Sequence, residues 1–551
     1  MILDLNDGPQ TRIATDVAIV GAGAAGLTVA RGLVEQGLSV TILESGGLDY
    51  EAETADLNRG KSIGQDYYEL EDARLRFFGG TTAIWGGRCA ELDPIDFRAR
   101  AWVPHSGWPI DRATLADYYR KARERLDLPV RGEPEAPIDF NAEELSFRSW
   151  RFDQRFDRFS AANSSDLLEH PRVTVVTHAT VRELLLAPSG NAIESIDAVS
   201  LRGGRLQVTA EHFVLAAGGI ENPRIMLASR SVAPNGVGND RDLVGRFFME
   251  HPHARGGRIL DARAWPLLDA FRRRHTRDGT AYAHLIAPSP ALQEREGLLN
   301  SSLTIAARRP AGGRQAMVMR AYASAKHKAR PDRKGRMLWL TLKRTTRAVQ
   351  NAIDPARPWL MNQLGMAELA IVVRAEQAPN PDSRVLLSED RDALGMPRVN
   401  LDWKLTAQDA GSVAGLVNAL DRELERKRMG RVELADWLRD PEQRWVSDPL
   451  VSMHAIGGYH HMGTTRMSAN CANGVVDADC KVHGIANLHI AGSSVFPTGG
   501  WANPTLTIMA LALRLADRIA LLCAAGKESH NAGTSGSSCE VDAWRENSPA
   551  T

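Results

Sequence analysis

Two adjacent histidines, His460 and His461, are the residues of this sequence best suited to moving a proton. A neutral imidazole is available near pH 7, so a histidine can take the proton of a hydroxyl group that reacts. In an extended segment neighbouring side chains point in opposite directions, and only one of the two can then face a shared site. The alternative is that both are buried histidines with satisfied hydrogen bonds and no catalytic role.

Residues 16–45 have the pattern of a strand, a glycine turn, a helix and a second strand, which predicts a βαβ unit. Gly21, Gly23 and Gly26 form G-x-G-x-x-G between the first strand and the helix. The first glycine allows a tight turn, the second lets the backbone approach a pyrophosphate, and the third lets the helix pack on the strand. Glu44 ends the second strand, where it can accept hydrogen bonds from a ribose. We therefore predict a dinucleotide site, against the alternative of a purely structural turn.

The glycine motif alone does not separate NAD from FAD, and three further segments favour FAD. Residues 78–92 (FGGTTAIWGGRCAEL) contain paired glycines and threonines that can donate to a pyrophosphate, and Trp85 can cover a ring. Residues 213–223 predict a strand that runs into a second glycine turn. The third segment is the C-terminal block that contains the histidine pair.

Five motifs in this order resemble the glucose-methanol-choline (GMC) family of FAD-dependent oxidoreductases. They are the βαβ unit ending in ESGG, GGTTAIWGG at 79–87, AAGGIENP at 216–223, YHHMGTTRM at 459–467 and SSVFPT…ANPT at 493–505. The sequence is most similar to the bacterial branch that includes fructose, sorbitol and gluconate dehydrogenase large subunits, with pyranose oxidase more distant. The resemblance covers about residues 13–520 and is weak from about 260 to 365.

The resemblance implies roles for the histidines. The catalytic histidine of the family lies three residues before a glycine that is Gly463 here, which selects His460 as the base and leaves His461 a structural or supporting role. His251 and His253 match a stretch whose histidine is usually structural, so they are left out of the catalytic set. These four histidines lack a carboxylate or cysteine at ligand spacing, and we predict no metal site.

The second catalytic residue that the resemblance implies is Asn503, whose amide would hold the alcohol oxygen against the base. Asn503 and Pro504 are also a favourable N-cap and N1 pair for a helix from about 505 to 520, so a structural reading stands beside the catalytic one. Both can hold, because such a helix would point its positive end at the flavin.

The FAD contacts combine the two glycine motifs with positions that the resemblance implies. The predicted cofactor-binding residues are Gly21, Gly23, Gly26, Glu44, Gly80, Thr81, Thr82, Trp85, Gly86, Val181, Ala217, Gly218, Ser493, Asn503, Pro504 and Thr505. Some family members tie the flavin covalently to a histidine at the position of Ile84. The resemblance therefore implies non-covalent FAD in this chain.

The implied fold class is α/β, with a Rossmann-like FAD-binding domain and an inserted α+β substrate domain built on an antiparallel sheet. The predicted boundaries are 13–100, 170–258 and 455–525 for the FAD-binding domain, 101–169 and 259–454 for the substrate-binding domain and lid, and 526–551 for a disordered tail. Residues 370–403, with an apolar run at 385–387, are predicted to be strands of an antiparallel sheet that floors the substrate pocket.

Composition excludes several classes of protein. Lys and Arg together number 67, as do Asp and Glu, so no overall charge attracts nucleic acid. The partner that the family resemblance implies is a small-molecule alcohol or sugar. Five cysteines without a C-x-x-C pair favour a reducing compartment. The first residues lack the basic and apolar regions of a signal peptide, so a cytoplasmic protein is predicted.

The implied activity is oxidation of a hydroxyl group of a sugar, glycoside, cyclitol or related polyol to a carbonyl, with hydride transfer to flavin N5. The alternatives are a lyase or isomerase on the same fold, a flavoprotein subunit without catalysis, and a dehydrogenase subunit that needs a separate electron-transfer partner. Residues 308–347 are strongly basic, with Asp332 as their one acid. This segment predicts a solvated face or lid, or else a docking site for an electron acceptor protein or another anionic partner.

Overall fold

The structure, a computed structural model, describes residues 1–8, 11–129, 132, 134–155, 157–310, 335, 338, 341–342, 345–346, 349–350, 352–440, 442, 444–452 and 456–534. Most of the basic segment at 308–347, with its predicted partner site, therefore lies outside the described residues. None of the helices in the described part of the chain combines the length and apolar character that crossing a membrane requires.

Strands and helices follow one another along the described part of the chain. The strands are β1 Ile2–Asp4, β2 Thr11–Val20, β3 Val40–Leu43, β4 Gly60–Ser62, β5 Arg88–Cys89, β6 Leu145–Phe152, β7 Val173–Thr177, β8 Thr180–Leu186, β9 Ile193–Val199, β10 Arg205–Leu215, β11 His253–Leu260, β12 Arg274–His275, β13 Ala281–Pro288, β14 Ser302–Arg308, β15 Glu368–Arg374, β16 Arg384–Arg391, β17 Pro397–Asp402, β18 Arg431–Leu434 and β19 Leu488–Ile490. The α-helices with described bounds are α1 Ala24–Glu35, α2 Ala52–Asp56, α3 Leu70–Ala73, α4 Pro94–Phe97, α5 Ala116–Arg125, α6 Ser165–Leu168, α7 Gly218–Ala228, α8 Ala264–Phe271, α9 Pro290–Glu296, α10 Ala356–Gln363, α11 Ala407–Arg426 and α12 Thr505–Thr534.

The first sheet contains the predicted βαβ unit. Its order is β1-β7-β3-β2-β10-β9-β8, and β19 pairs with β10 from outside this path. The central strands β7, β3, β2 and β10 are parallel to their neighbours within this group. Such strands are covered on both faces, which explains the continuous apolar runs at 17–20 and 40–43. The carboxyl ends of β2, β3 and β10 meet at one edge, where a doubly wound sheet binds its ligand.

The second large sheet has the order β18-β11-β15-β14-β13-β6-β5, with β12 paired to β13, and all its pairs are antiparallel. Helix α11 packs on this sheet through Val413, Leu416, Val417 and Leu420. The α/β fold with a second antiparallel sheet is therefore the predicted one.

The strands predicted within residues 370–403 are present, but they lie in two different sheets. The apolar run at 385–387 lies in β16, which pairs with β17 and, through it, with β4 in a separate three-stranded sheet. Of residues 370–403, only the end of β15 belongs to the large antiparallel sheet. A short apolar run can identify a strand, but it does not say which sheet the strand joins.

The C-terminal helix α12 begins at Thr505, directly after the Asn503–Pro504 pair, as the sequence predicts. It extends to Thr534 rather than ending near 520, so the predicted start of a disordered tail at 526 is wrong. The helix packs against α1, where Gly32 approaches Ala516 so closely that an added Cβ would lie 2.7 Å from the alanine Cβ. This contact brings the end of the chain onto its first βαβ unit.

Candidate active site

A deep cleft opens at the carboxyl edge of the parallel strands. Its empty volume, including the open mouth, is about 1130 Å³, and its lining runs from Glu44 past Gly23 and Gly218 to His461. The N-terminus of α1 faces this cleft, so the positive end of the helix and its N–H groups favour a phosphate there.

Each glycine of the first motif has the backbone geometry that its predicted role requires. Gly21 adopts φ 103° and its N–H donates to the Leu43 carbonyl at 2.8 Å, which closes the turn. Gly23 has open space where a Cβ would stand, whereas a Cβ on Gly26 would lie 2.0 Å from the Gly21 carbonyl oxygen. Gly23 therefore leaves room in the cleft, and Gly26 allows the helix to pack on the strand.

Glu44 lies at the end of β3 and is buried. Its carboxylate accepts hydrogen bonds from the backbone N–H groups of Ala22 and Gly46, both at 3.0 Å. Burial raises the pKa of this carboxyl group, and these N–H groups act against that rise. The carboxylate joins the glycine turn to the second strand and stands where a ribose hydroxyl can donate to it.

Most of the predicted cofactor-binding residues line the cleft. They are Gly21, Gly23, Glu44, Gly80, Thr81, Thr82, Val181, Ala217, Gly218 and Ser493. The remaining predicted residues lie outside the lining; they are Gly26, Trp85, Gly86, Asn503, Pro504 and Thr505. The Trp85 ring packs edge-on against Phe159 at 6.2 Å between centroids, and its place over a ring of the cofactor stays a prediction.

Sequence reasoning missed a charged cluster in the same cleft. Arg74, Arg76 and Asn58 line it, and Arg74 and Arg76 approach the Glu221 carboxylate at 3.5 and 3.0 Å. Burial alone would raise the pKa of Glu221, but Arg224, Arg76 and Arg74 hold it well below its usual range. The motif that contains Glu221 was recognised, whereas nothing in the sequence around the two arginines marks them as cofactor contacts.

The cleft fits FAD on two observations. Burial lowers the pKa of Arg74 to about 10, and its buried Nη1 has no hydrogen-bond partner among the described residues. An unmet donor of this kind is costly unless a ligand oxygen accepts from it, and a pyrophosphate offers such oxygens. Gly218, at φ 87°, also has open space where a Cβ would stand, as Gly23 does. An anionic dinucleotide would accept from the unpaired Arg74 donor and occupy the open space beside the two glycines.

The two predicted catalytic residues lie side by side, although 43 positions separate them in sequence. Asn503 Nδ2 is 3.1 Å from His460 Nε2. His460 precedes the irregular segment 461–466, and Asn503 precedes the first turn of α12. Within the described residues, the hydrogen bond of the Asn503 side chain goes to His460 and not to the helix N-terminus.

A third residue, His251, determines the tautomer of His460. His251 Nε2 lies 2.7 Å from the Gly500 carbonyl oxygen, and His251 Nδ1 lies 2.7 Å from His460 Nδ1. A carbonyl oxygen only accepts, so the proton of neutral His251 is on Nε2 and its Nδ1 is an acceptor. His460 must then donate from Nδ1, which places its lone pair on Nε2, beside Asn503. Burial lowers the pKa of His251 and keeps it neutral.

His251 was excluded from the catalytic set, and its position shows what that reasoning missed. The EHP motif places His251 two residues before β11, and only the fold brings this segment against residues 457–462. The signal that could have found it is the neighbouring Glu250. This buried carboxylate accepts from the backbone N–H groups of His251, Gly458 and His460, at 2.8, 3.1 and 2.8 Å, and so holds both histidine segments together.

His461 has the buried, hydrogen-bonded environment of a supporting residue, although its ring also lines the cleft. The Tyr67 hydroxyl donates to Glu250 at 2.5 Å, so its oxygen accepts from His461 Nε2 at 3.0 Å. Burial, with Arg74 nearby, lowers the pKa of His461 to about 3. The ring is therefore neutral and fixed, with one nitrogen already engaged.

A buried ion pair supports the loop that carries Asn503. Arg100 donates to both oxygens of Glu376, at 2.8 and 2.6 Å, and Glu376 accepts from the Gly500 N–H at 3.2 Å. The two sides of Gly500 are thus fixed, its N–H by Glu376 and its carbonyl by His251. Paired and hydrogen-bonded buried charges are rigid, because breaking either partner leaves an uncompensated charge.

Comparison with known proteins agrees with this geometry. Residues 16–232 match the family model described as FAD dependent oxidoreductase, and residues 379–512 match the one described as GMC oxidoreductase. The chain is 27% identical to the 6'''-hydroxyparomomycin C oxidase of Streptomyces lividus, over 96% of this chain and 95% of that protein. It is 24% identical to the 2-methyl-1,2-propanediol dehydrogenase of Mycolicibacterium austroafricanum, over 92% and 95%.

A solved structure shows the same fold. The chain covers 99% of the pyridoxine 4-oxidase from Mesorbium loti with 92% of its own length, at a TM-score of 0.50 and 18% identity. A parallel sheet with a cleft at the carboxyl ends of its strands is the fold on which dinucleotide cofactors bind, and the matched models identify an FAD-dependent oxidoreductase. Together with this fold, the matched family models place this chain in the GMC oxidoreductase family.

Proposed function

We propose that this protein uses non-covalently bound FAD to oxidise a hydroxyl group of a sugar, glycoside, cyclitol or related polyol to a carbonyl. The observation that carries the proposal is the contact between His460 Nε2 and Asn503 Nδ2, with the lone pair of His460 fixed on Nε2 by His251. The names of the two curated relatives, an oxidase of a hydroxyparomomycin and a dehydrogenase of a propanediol, support a hydroxyl-bearing substrate.

His460 takes the hydroxyl proton on Nε2 in this proposal. As the proton arrives, the imidazole becomes cationic, and its Nδ1–H donates more strongly to His251. Asn503 offers amide hydrogens to the alcohol oxygen as negative charge grows there, which is the role of an oxyanion donor. FAD, when bound, would supply the two-electron acceptor for the hydride of the carbinol carbon. The proton and the hydride together leave a carbonyl.

The residues proposed to hold FAD are those of the cleft lining. The glycine turn before α1 and Arg74 would hold the pyrophosphate, and Glu44 would accept from the ribose. Ile84, at the end of a short 3-10 turn, offers no nucleophile for a covalent bond to the flavin. The predicted domain division, in which the FAD-binding domain is assembled from three stretches, and the cytoplasmic location stay predictions.

The test is anaerobic titration of the purified holoprotein with a panel of sugars, glycosides, cyclitols and simple diols. Loss of the oxidised-flavin absorbance band with one substrate class, and a carbonyl product in equal amount, is the expected result. Flavin that stays oxidised while a substrate is converted would favour a lyase or isomerase instead. Release of all flavin on denaturation, with none left on the chain, is the expected result for non-covalent binding.

A further inference from the structure

The loop that carries Asn503 rests on the short helix α4. In this loop the Thr498 hydroxyl donates to the Asp96 carbonyl oxygen at 2.7 Å. Gly500 lies directly over the Asp96 side chain, because a Cβ added at Gly500 would stand 2.4 Å from Asp96 Oδ2. The carboxyl group of Asp96 is therefore the surface on which the middle of the loop packs, and the place of Asn503 depends on it.

Two further carboxyl groups meet the same loop. Asp93 Oδ2 accepts from Trp501 Nε1 at 2.8 Å, and Asp93 Oδ1 accepts from Arg148 Nε at 3.1 Å. Glu376 binds the backbone of the loop, as described above, and accepts from both terminal nitrogens of Arg100. Each of these two carboxylates thus has an arginine of its own.

Asp96 differs from both in its partners, although it is fully buried. Its Oδ2 accepts from the Asp93 N–H at 2.8 Å, and its Oδ1 accepts from Asn300 Nδ2 at 2.9 Å. Both donors are neutral. Within the described part of the chain Arg100 and Arg148 form their ion pairs with the other two acids, and no ion pair includes Asp96.

The surroundings of Asp96 favour its neutral form. Burial, followed by the negative charges of Glu376 and Asp93, raises the pKa of Asp96 well above its usual range. Arg100 and the hydrogen bond from Asn300 act against this rise. Burial would also raise the pKa of Glu376, but Arg100 holds it below its usual range. Of these two neighbouring acids, Asp96 therefore keeps the proton and Glu376 the charge.

Two more titratable groups lie around this cluster. His251 donates to the carbonyl oxygen of Gly500, and burial lowers the pKa of His251 and keeps it neutral. Asp409 lies beyond Glu376, and burial raises its pKa to about 6. Neither group supplies a positive charge that would hold Asp96 ionised.

We propose that Asp96 is a positioning residue, which supports the loop of Asn503 as a neutral carboxylic acid and displaces this loop when it ionises. Ionised Asp96 would stand beside the carboxylate of Glu376, where low dielectric screens the repulsion little and the covering loop excludes water. The consequence is an upper pH limit for catalysis, set by the loop, because neutral His460 stays a competent base at high pH. This kinetic consequence rests on the proposed function, whereas the support of the loop does not.

Two measurements on the holoprotein test the loop without a substrate. The infrared difference spectrum of wild type against Asp96→Asn should contain the C=O band of a protonated carboxylic acid at neutral pH, and the band should disappear at high pH. Hydrogen exchange in peptides that cover 498–503 is compared between the two proteins at equal pH. It should be the same at neutral pH and faster in the wild type once the band has gone. A missing band at neutral pH, or equal exchange throughout, would overturn the inference.

The kinetic test uses the hydroxyl compound that reduces the flavin in the panel above, with rates normalised to bound flavin. Asp96→Asn is neutral at every pH, so its rate should stay within about twofold of the wild type at neutral pH and should not decline at high pH, where the wild type slows. Asp96→Ala leaves the Asp93 N–H and Asn300 without their acceptor and the loop without support. It should slow reduction about 5- to 150-fold at neutral pH.

Asp409→Asn is the matched control. Asp409 is an equally buried carboxyl group without an arginine partner among the described residues, and it accepts from the backbone N–H groups of Ala378 and Thr406 instead of touching the loop. Its removal should leave the alkaline decline of the wild type in place. Loss of that decline in Asp409→Asn as well would overturn the assignment to Asp96.

The outcomes separate this inference from the proposed function. An Asp96→Asn variant as slow as Asp96→Ala at neutral pH would overturn the inference, because the loop would then need the charge. Identical pH profiles of the wild type and Asp96→Asn would also overturn it, and they would leave the proposed function intact. The expected infrared band and exchange, without flavin reduction by any hydroxyl compound, would support the role of Asp96 and contradict the proposed function.

Discussion

Replacing His251 by leucine removes two hydrogen bonds. The His460 Nδ1–H loses its acceptor, and the Gly500 carbonyl oxygen loses the N–H that donates to it. The His251 ring is 2% exposed, so water does not replace it readily. Leaving a buried donor unpaired costs about 1–3 kcal/mol. His460 can regain a partner only by turning its ring or by moving its proton to Nε2, and both remove the lone pair from the position beside Asn503. We expect substrate-driven flavin reduction to slow about 5- to 150-fold.

The pH dependence separates this role from simple packing. In the wild type the reduction rate should fall at low pH, because His460 Nε2 becomes protonated. The Nδ1–H of a cationic imidazole donates more strongly than that of a neutral one, so the contact with His251 favours the protonated form of the base. Without His251 the acidic limb of the profile should therefore move to lower pH. A packing defect would reduce flavin content or thermal stability without moving the limb.

Stopped-flow measurement of anaerobic flavin reduction across pH 5–9, normalised to bound flavin, gives both quantities. His251→Gln keeps an amide donor for Gly500 and an amide oxygen as acceptor, so it should recover part of the rate. His284→Leu is the control, because His284 is an equally buried histidine whose ring packs on Phe147 and Tyr282 in the antiparallel sheet. A His251→Leu variant with full flavin content, a rate within twofold of the wild type and an unmoved acidic limb would refute the reasoning.

Three further predictions follow from the same structure. His460→Ala should reduce the rate of flavin reduction about 10²- to 10⁴-fold, as loss of a general base does. Flavin binding measured by equilibrium dialysis should stay the same. A variant with wild-type activity would show that His460 is not the base. Gly23→Ala should weaken FAD binding and leave the stability of the apoprotein unchanged, because its Cβ enters open cleft space. Gly26→Ala should instead lower the melting temperature of the apoprotein, since its Cβ would lie 2.0 Å from the Gly21 carbonyl oxygen. Equal effects of the two changes on FAD binding and on melting temperature would contradict the assignment. The stability of the fold should fall as pH drops below about 6.5. Burial lowers the pKa values of His461 and His489 to about 3, so below about pH 6.5 the unfolded chain binds more protons than the folded one. Melting temperatures measured from pH 8 to 5 should show this slope, and His489→Gln should make it less steep.

The cofactor cleft was predictable from sequence to the extent that short-range patterns build it. Gly21, Gly23 and Glu44 lie within one βαβ unit, and local sterics fix their positions. Arg74 and Arg76 could not be found in this way, because no local sequence pattern separates an exposed arginine from one that faces a cleft. Their role depends on Glu221, which lies about 150 positions away in the chain.

The catalytic pair was predictable only through family resemblance, since the contact between His460 and Asn503 depends on how the C-terminal block folds back. The tautomer of His460 was not predictable, because it depends on two interatomic distances and on the carbonyl of Gly500. Strand β16 shows the same limit at the level of the sheet. Its apolar run was recognised, but its pairing with β17, which in turn pairs in parallel with β4, is tertiary information.

The pairing of β19 with β10 has a consequence for how the protein is made. Residues 491–493 follow β19 directly and complete the cleft that the glycine turn at 21–23 begins, and α12 then packs on α1. During synthesis the N-terminal unit leaves the ribosome long before its C-terminal counterpart exists. The nascent chain therefore waits with an open nucleotide site, and flavin loading becomes a late, post-translational event.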